Sequence, residues 1–376
     1  MSLDGLPGAR IREDVDHLAA MTRDSAGPGE RASAAWLAQR LEELGACDVG
    51  VEPYRYQGTY AWAHALHVAA GLAGPPVLAL AAALSLELDV SGRNQWLRRL
   101  LPTGEGANVV ARVPARGSAR STLVLVAHHD AARTGTVWRR ALMEAGAQRR
   151  LRRRTIDPFV APTALALLLA ALPLPRAARR TGRALLALAL AALADIGTSQ
   201  TVPGASDNAS GVAAVLELAR RFVTEPLEGV EVLVVLPGSE EAGMGGMRAF
   251  LDTHRLDPAN SFVLGLDTVG AGTPIVLTSE GGIAPHRYRE QDVQRVQDAA
   301  RAAGLPLPER WRIGAWTDPI LAVFAGLPAA SVLSIGPKGI YPNYHRPSDL
   351  PEHVDWASVD ACVAVAAATA AGLSAR

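Results

Sequence analysis

Histidine and acidic side chains occur at five places in the sequence where a divalent metal ion could be held. These places are His128-His129-Asp130, Asp207 in GASDNASG, Glu240-Glu241, Asp267 after SFVLGL, and His345 in YPNYHRPSD. Three of them end apolar, β-branched runs, and the carboxyl ends of such strands form the edge where open α/β sheets bind ligands. Two imidazoles and three carboxylates suit two zinc ions, which leaves one glutamate to act as a base.

Two of these places also have commoner structural interpretations. His128 and Asp130 share one face of the predicted strand, where Asp130 either orients a metal-bound His128 or simply faces solvent. Asp207 precedes a strong helical pattern, so it is either the N-cap of that helix or a carboxylate that bridges two cations. The sequence at each place, taken alone, leaves both interpretations open.

Glu240 and Glu241 are adjacent carboxylates, which repel each other unless a cation lies nearby. Because neighbouring side chains diverge, one of them can bind metal while the other takes a proton from water. The alternative is an acidic loop at a strand end, and it applies equally to Asp267. His345 lies in a proline-bounded loop, where a single histidine is commonly just exposed. Only the combination of all five places favours a metal site.

Short β-branched runs alternate with helical patterns from residue 108 onwards. The runs are NVVARV, STLVLVAHH, VEVLVVLPG, SFVLGLD, TPIVLT and AASVLSIG, and the helical patterns cover 208–222, 243–254, 286–303 and 356–374. The first fifty residues are also helical in pattern. This alternation predicts a sheet with helices on both faces. We expect a three-layer α/β/α sandwich with a mixed, mostly parallel sheet, forming one catalytic domain over residues 1–376.

Two apolar blocks do not fit such a domain, and we interpret them as helical-hairpin insertions at 56–100 and 132–200. Residues 56–86 contain no charged side chain, and residues 158–194 hold two apolar runs around RAARRTGR. A membrane span needs about 20 apolar residues, whereas prolines and Asp195 interrupt the second block. Basic clusters beside apolar helices favour contact with an anionic membrane surface, or a homo-oligomer interface. Packing within the domain and true spanning are the alternatives.

Composition argues against several other classes of protein. Thirty-seven basic and thirty-seven acidic residues cancel, so the net charge gives no reason to expect a nucleic-acid partner. The two cysteines, Cys47 and Cys362, form neither a disulfide framework nor a Cys-x-x-Cys pair. The segment MSLDGLPGARIREDVDHLAA lacks the apolar core of a secretory signal. We therefore expect a cytoplasmic protein, membrane-associated if the apolar blocks meet a bilayer.

The motifs, in this order, resemble those of zinc metallopeptidase family twenty-eight, which includes bacterial aminopeptidases, glutamate carboxypeptidase and the glutaminyl cyclases. The matching motifs are His-x-Asp, GASDNASG, Glu-Glu-x-Gly, Leu-Asp and Tyr-His-Arg-Pro-x-Asp, with DNASGVAAVLELAR the most specific. The resemblance runs from about Asn108 to the C-terminus, interrupted by the second insertion. This chain departs from the family at Thr317-Asp318-Pro319, where members often carry Ser-Asp-His.

The resemblance implies a two-zinc peptidase, although other divalent ions are an alternative. The implied metal ligands are His128, Asp207, Glu241, Asp267 and His345. Asp207 would bridge the ions, Asp130 would orient His128, and Glu240 would be the general base in an attack by metal-bound hydroxide. We expect an aminopeptidase acting on peptide or aminoacyl amide bonds.

Three other functions stay open on the same fold. A carboxypeptidase or N-acyl amino acid hydrolase would need a basic clamp, for which the candidates are Arg287, Arg289, Arg312 and Lys338. A glutaminyl-cyclase-like acyltransferase works with one zinc, and the presence of both His128 and Asp207 argues against it. A non-catalytic interaction module would have lost ligands, whereas here every ligand position is filled.

Overall fold

Ten strands form one sheet at the centre of the computed structural model, which describes residues 7–374. In chain order they are β1 (Cys47–Tyr56), β2 (Gly104–Val113), β3 (Arg116–Val126), β4 (Thr155–Ile156), β5 (Glu228–Leu236), β6 (Ser261–Leu266), β7 (Thr273–Glu280), β8 (His286–Arg287), β9 (Glu309–Ile313) and β10 (Ala329–Ile335). Across the sheet the order is β1-β2-β5-β3-β6-β10-β7-β9-β4, with β8 paired to β7. The central strands β5, β3, β6 and β10 are mutually parallel. Antiparallel pairs lie to either side of them, so the sheet is mixed.

Helices cover both sides of this sheet. They are α1 (Pro7–Ala20), α2 (Pro28–Glu43), α3 (Ala61–Ala73), α4 (Pro76–Val90), α5 (Arg140–Glu144), α6 (Ala147–Arg153), α7 (Ala161–Ala171), α8 (Arg176–Thr198), α9 (Ser210–Thr224), α10 (Gly245–Thr253), α11 (Glu290–Ala302), α12 (Pro319–Phe324) and α13 (Trp356–Ser374). One layer contains α1, α9, α11 and α13, which pack on one another, and the other contains α10 and α12. Every residue of β6 and β10 is buried between these layers. The predicted α/β/α sandwich is confirmed.

Some element boundaries differ from those predicted. β1 begins at Cys47, inside the first fifty residues, which were predicted as helical. The sequence does not reveal this edge strand, because its side chains are alternately exposed and form no continuous apolar run. β3 ends at Val126, so His128 and Asp130 follow the strand instead of lying on it. The helix predicted from residue 286 begins at Glu290, after the short strand β8.

Both apolar blocks fold as helical hairpins, and the two hairpins pack together. α3 and α4 form one hairpin and α7 and α8 the other, and we call the resulting four helices the helical bundle (residues 61–90 and 161–198). Its interior is apolar and includes Val68, Leu86, Leu167 and Leu186. A Cβ on Gly71 would clash with Leu167 Cδ2, so a larger residue there would require the Leu167 side chain to move. The bundle therefore has its own small core.

Two of the described helices, α8 and α13, are long and apolar enough to cross a membrane by length and composition alone. α13 packs against α9, α11 and three strands, which makes it a core helix of the sandwich. α8 differs, since only 17% of its most apolar stretch is buried.

A buried ion pair joins the helical bundle to the sheet domain. Arg98 donates to both carboxylate oxygens of Asp89, at the end of α4, over 2.8–3.1 Å. The same guanidinium also donates to the carbonyl of Ala242 in the loop after β5, and His64 Nε2 lies 3.2 Å from Asp89 Oδ1. Burial by itself raises the pKa of Asp89, but His64 and Arg98 hold it well below its usual value. The pair thus fixes α3 and α4 beside the loop that carries Glu240 and Glu241.

We predict that Asp89→Asn lowers the free energy of unfolding by about 3 kcal/mol, because it leaves the buried Arg98 charge without its counter-ion. Urea unfolding followed by circular dichroism measures the change. The matched control is Glu228→Gln, whose pair with Arg116 has side chains 55% and 70% exposed. The control should shift stability by less than about 0.5 kcal/mol. Equal effects of the two substitutions would contradict a special role for the buried pair.

Candidate active site

The structure brings all five predicted ligand residues and Glu240 into one largely buried group. His128 follows β3, Glu240 and Glu241 follow β5, Asp267 follows β6, Asp207 precedes α9, and His345 lies in the loop before α13. Because β3, β5 and β6 are parallel neighbours, their carboxyl ends meet at one edge of the sheet. The topology therefore assembles residues that are far apart in the chain.

Asp207 lies between the two histidines. Its Oδ1 is 3.5 Å from His128 Nε2, and its Oδ2 is 3.4 Å from His345 Nε2. His128 Nε2 is also 3.9 Å from Asp267 Oδ1, and His345 Nε2 is 3.2 Å from Glu241 Oε2. Three groups of potential metal-binding atoms result, each with its members within 4.8 Å of one another. Asp207 belongs to two of them, with His128 and Asp267 and with Glu241 and His345. The third group contains His128, Glu240 and Glu241.

Asp207 is not the cap of α9, because the helix begins at Ser210 with Ala209 as its N-cap residue and has no side-chain cap hydrogen bond. The backbone at Asp207 is extended, with a φ of −116° and a ψ of 91°. Asn208 fixes this segment, since its side-chain oxygen accepts from Thr268 N–H at 2.9 Å and its amide donates to the carbonyl of Leu266 at 3.0 Å. The segment that carries Asp207 is thereby tied to the strand end that carries Asp267.

Asp130 organises the neighbouring side of the site. Its Oδ1 lies 3.4 Å from His128 Nδ1 and accepts from the backbone N–H of Glu240 at 3.0 Å. Its Oδ2 accepts from Ser25 Oγ at 2.6 Å and from the backbone N–H of Glu241 at 3.2 Å. The sequence predicted only the contact with His128. The same carboxylate also positions the backbone of the two glutamates.

The buried carboxylates create a field that favours positive charge. Burial by itself lowers the pKa of His345, yet the adjacent Glu241 and Asp207 raise it to about 10. Burial raises the pKa of Glu240 well above its usual value, and the carboxylates of Glu241 and Asp318 add to the effect. Neither carboxylate oxygen of Asp318, which is also buried, has a hydrogen-bond partner among the described residues.

Glu30 is a site residue that the sequence did not reveal. Its carboxylate accepts from the backbone N–H and the hydroxyl of Ser239, both at 2.8 Å, directly before Glu240. It also accepts from Tyr54 Oη and from the backbone N–H groups of Ala26 and Ala107. Burial raises the pKa of Glu30 to about 7. In the sequence this residue is merely an acidic side chain in the first turn of α2.

Arg23 and Asp349 complete the support around Asp207. Arg23 is fully buried and donates to the carbonyls of His129 and Gly204, at 2.8 and 2.9 Å. It therefore joins the segments that carry His128 and Asp207. Asp349, from the Tyr-His-Arg-Pro-x-Asp motif, accepts from the backbone N–H of Asp207 at 3.1 Å. The motif was recognised, but the role of its aspartate was not.

The helical bundle roofs the site and encloses a cavity of about 340 Å³. The apolar lining comes from α4 and α8, through Leu86, Val90, Leu193 and Ile196, and from Val160 directly before α7, whereas α3 and α7 contribute His64 and Thr163. A wall of Trp138, Phe159 and Tyr344 stands beside His345, whose ring stacks on Tyr344 at 3.8 Å between centroids. The cavity is thus apolar above and acidic below.

None of the four basic candidates for a carboxylate clamp lines this cavity. Lys338 pairs with Glu144, and Arg287, Arg289 and Arg312 lie outside the lining residues. Arg98 is the one lysine or arginine among the described residues that line it, and it is already paired with Asp89. At the departure from the family pattern, Thr317 lines the cavity and donates to Glu280 at 2.7 Å.

The fold is an α/β/α sandwich, and its mixed sheet carries imidazole and carboxylate groups at the ends of its parallel strands. This combination is that of a metal-dependent, peptidase-type hydrolase. Residues 188–370 match the sequence profile of peptidase family M28. This match confirms the resemblance to the family that the motifs predicted, and together with the fold of solved zinc aminopeptidases it supports the class of zinc-dependent hydrolase. No curated protein sequence matches the chain significantly.

Several solved structures share the fold. The zinc aminopeptidase BSAP from Bacillus subtilis superposes with a TM-score of 0.59 at 14% identity, over 96% of this chain and 94% of that chain. An aminopeptidase from Aneurinibacillus sp. strain AM-1 gives 0.58 at 16% identity, over 96% and 92%. The glutaminyl cyclase from Bacteroides thetaiotaomicron gives 0.58 at 16% identity, over 97% and 96%. At these identities the likeness shows the fold alone.

We predict that Glu30→Gln lowers the free energy of unfolding by about 2–3 kcal/mol. The substitution would place the NH₂ group of an amide against N–H and O–H groups that now donate to a carboxylate oxygen, so these donors would lose their acceptor. Tyr54→Phe is the matched control, since it removes a single donor and leaves the four other hydrogen bonds of Glu30 in place. It should cost about 1 kcal/mol. Thermal unfolding compares the two variants, and a larger loss for Tyr54→Phe would show that the carboxylate is not the centre of this network.

Proposed function

We propose that the chain is a two-zinc aminopeptidase that hydrolyses peptide or aminoacyl amide bonds. The observation that carries the proposal is the position of Asp207, whose two carboxylate oxygens face two different histidines 3.4–3.5 Å away. A carboxylate in that position suits a bridge between two cations. The ligands of one ion would be His128, Asp207 and Asp267, and those of the other Asp207, Glu241 and His345.

The chemistry of these residues fits zinc. Imidazole nitrogens and carboxylate oxygens are its usual ligands beside thiolates. His345 Nε2 and Glu241 Oε1 are buried and have no hydrogen-bond partner among the described residues, as expected of atoms that coordinate a metal. The raised pKa of His345 indicates that the site draws in positive charge. Two divalent cations would provide that charge and offset the repulsion between the carboxylates.

The residues of the chain divide the remaining work. Zinc, when bound, polarises the scissile carbonyl and lowers the pKa of water. Glu240 takes the proton of the attacking water and passes it to the leaving amine. Asp130 holds the backbone N–H of Glu240 and keeps that carboxylate in reach, while it also orients His128. The apolar roof excludes bulk water, which strengthens these electrostatic interactions.

The charge of the cavity supports an aminopeptidase over a carboxypeptidase. A free α-amino group is cationic and is attracted to a floor of carboxylates, whereas a C-terminal carboxylate would be repelled by it. Arg98, the sole lysine or arginine among the described lining residues, is neutralised by Asp89. The apolar lining next to the carboxylates favours a substrate whose first residue has a large apolar side chain.

We predict opposite behaviour for the two adjacent glutamates. Glu240→Gln should retain zinc while kcat falls on the order of 10²–10⁴-fold, because it loses the proton acceptor but keeps its shape. Glu241→Gln should lose zinc, and Asp207→Ala should lose most of both ions. Elemental analysis of zinc-loaded protein measures the zinc content, which should be close to two ions per chain before substitution. Turnover is measured on the same samples.

Glu105→Gln, exposed on β2, is the control and should change neither quantity. Full zinc content in Asp207→Ala would remove the basis for a bridging carboxylate. If Glu241→Gln kept its zinc and Glu240→Gln lost it, the two roles would be reversed.

We also predict that activity requires a free amino terminus. Leucyl and phenylalanyl arylamides should be cleaved, and their N-acetylated forms and the aspartyl arylamide should not. A panel with dipeptides, N-acyl amino acids and N-terminal glutaminyl peptides, each with and without added zinc, tests this specificity. Release of amino acids from the C-terminal end alone would indicate a carboxypeptidase, and pyroglutamyl product without hydrolysis would indicate a cyclase.

A further inference from the structure

The helical bundle has one end at the active site and one end far from it. The cavity-lining residues come from the start of α3, the end of α4, the start of α7 and the end of α8. Trp62 packs beside Gly197, and Gly71 beside Leu186, so α3 and α8 are antiparallel. The opposite helix ends therefore meet away from the cavity. We call this end the bundle tip (residues 72–78 and 171–183).

The bundle tip exposes apolar side chains. Its two connections, at residues 74–76 and 172–175, have the sequences Gly-Pro-Pro and Leu-Pro-Leu-Pro. Val77 is 72% exposed and Leu172 is 44% exposed. The apolar surface continues along the sides of the bundle through Leu84 on α4 and Leu188 on α8, both well exposed. Such a surface on a water-facing helix pair normally marks a contact with another apolar phase.

Helices elsewhere on the molecule do not show this pattern. α11 covers the sheet, and its exposed residues include Glu290, Gln291, Asp298 and Arg301. Its outer face is therefore polar, as expected for a helix in contact with water. The apolar exterior of the bundle is thus a local property and not a general feature of this alanine- and leucine-rich chain.

Four arginines lie at the bundle tip, in the first two turns of α8: Arg176, Arg179, Arg180 and Arg183. No aspartate or glutamate occurs in residues 61–86 or 158–194. None of the four forms an ion pair with a described residue, since the ion pairs of the described residues are made by other arginines, by histidines and by Lys338. The tip therefore carries concentrated positive charge that the described part of the chain leaves unbalanced.

Helix stability does not explain this position of the arginines. The N-terminus of a helix carries a partial positive charge, so cations there are unfavourable. Since no described carboxylate pairs with them, these arginines are available to an anionic partner outside the chain. Because arginine side chains are long, they can contact phosphate groups while the neighbouring apolar side chains lie deeper. An anionic lipid surface has both required properties, a layer of phosphates above an apolar interior.

The lengths of the helices favour a surface contact over a membrane span. α4 has 15 residues and α7 has 11, whereas a span needs about 20 apolar residues. In α8 the apolar stretch between Arg183 and Asp195, residues 184–194, is no longer than α7. A second copy of the chain would present the same positive tip, and like charges would oppose such an interface.

We propose that the bundle tip docks on the surface of an anionic lipid membrane. The residues around Val77 and Leu172 enter the boundary between headgroups and acyl chains, and the four arginines contact lipid phosphates. This role is separate from catalysis and does not rest on the proposed peptidase activity.

Flotation of the purified full chain with lipid vesicles tests the proposal. The protein should bind vesicles of phosphatidylcholine with phosphatidylglycerol more strongly than vesicles of phosphatidylcholine alone, and salt should release it. Arg176→Gln/Arg180→Gln/Arg183→Gln should lower the partition coefficient on the order of 100-fold. Val77→Ser/Leu172→Ser should lower it roughly tenfold on the anionic vesicles. All these positions are exposed, so the unfolding temperature should stay unchanged and serves as the folding check.

The matched control removes the same charge elsewhere. Arg120→Gln/Arg255→Gln/Arg287→Gln changes three exposed arginines of the sheet domain and should bind vesicles as the unaltered chain does. Equal loss in both triple variants, or no preference for phosphatidylglycerol, would overturn the proposal. So would a lipid-free dimer that Val77→Ser/Leu172→Ser dissociates, because the apolar tip would then be an interface between copies. Membrane-bound protein that resists both salt and carbonate would also overturn it, in favour of a span.

Discussion

Six carboxylates share one buried site, and their mutual repulsion is the constraint on which the rest of the structure depends. They are Asp130, Asp207, Glu240, Glu241, Asp267 and Asp318. Burying even one ionised carboxylate is costly without a partner, and neighbouring carboxylates raise that cost. The fold offsets part of it with two histidines and with backbone N–H donors. The remaining charge is what a pair of cations would neutralise.

The supporting residues come largely from the N-terminal segment. Ser25 and Glu30 hold the Asp130 side and the Ser239 backbone, and Arg23 ties the carbonyl of His129 to that of Gly204. Each of these contacts acts on the backbone beside a candidate ligand and not on the ligand atoms. The N-terminal segment thus supports the backbone of the site on one side, whereas the helical bundle covers the cavity on the other side. The positions of the side chains at the strand ends depend on both.

The sequence predicted the residues that face the site better than those that support it. Motifs such as DNASG and Glu-Glu-x-Gly are local, and strand ends are visible as the end of an apolar run, so His128, Asp207 and Glu241 could be picked out. Glu30 could not, because its partner Ser239 is distant in the chain and its own surroundings are those of any helix start. The strand β1 was missed because an edge strand needs no apolar run. The sequence also did not show that the two hairpins pack together over the site, since each block is apolar by itself and its sequence does not indicate what it packs against.

The helical bundle also has a consequence for synthesis and folding. Its two halves lie on either side of β2 and β3 in the chain, so α3 and α4 emerge from the ribosome well before α7 and α8 exist. During that interval the inner faces of the first hairpin, with Val68 and Leu86, have no packing partner. Contacts between distant segments form late, and exposed apolar helices are prone to aggregation until they do. The nascent chain therefore passes through a stage in which the inner faces of its first hairpin are exposed to water, and aggregation competes with folding until the second hairpin emerges.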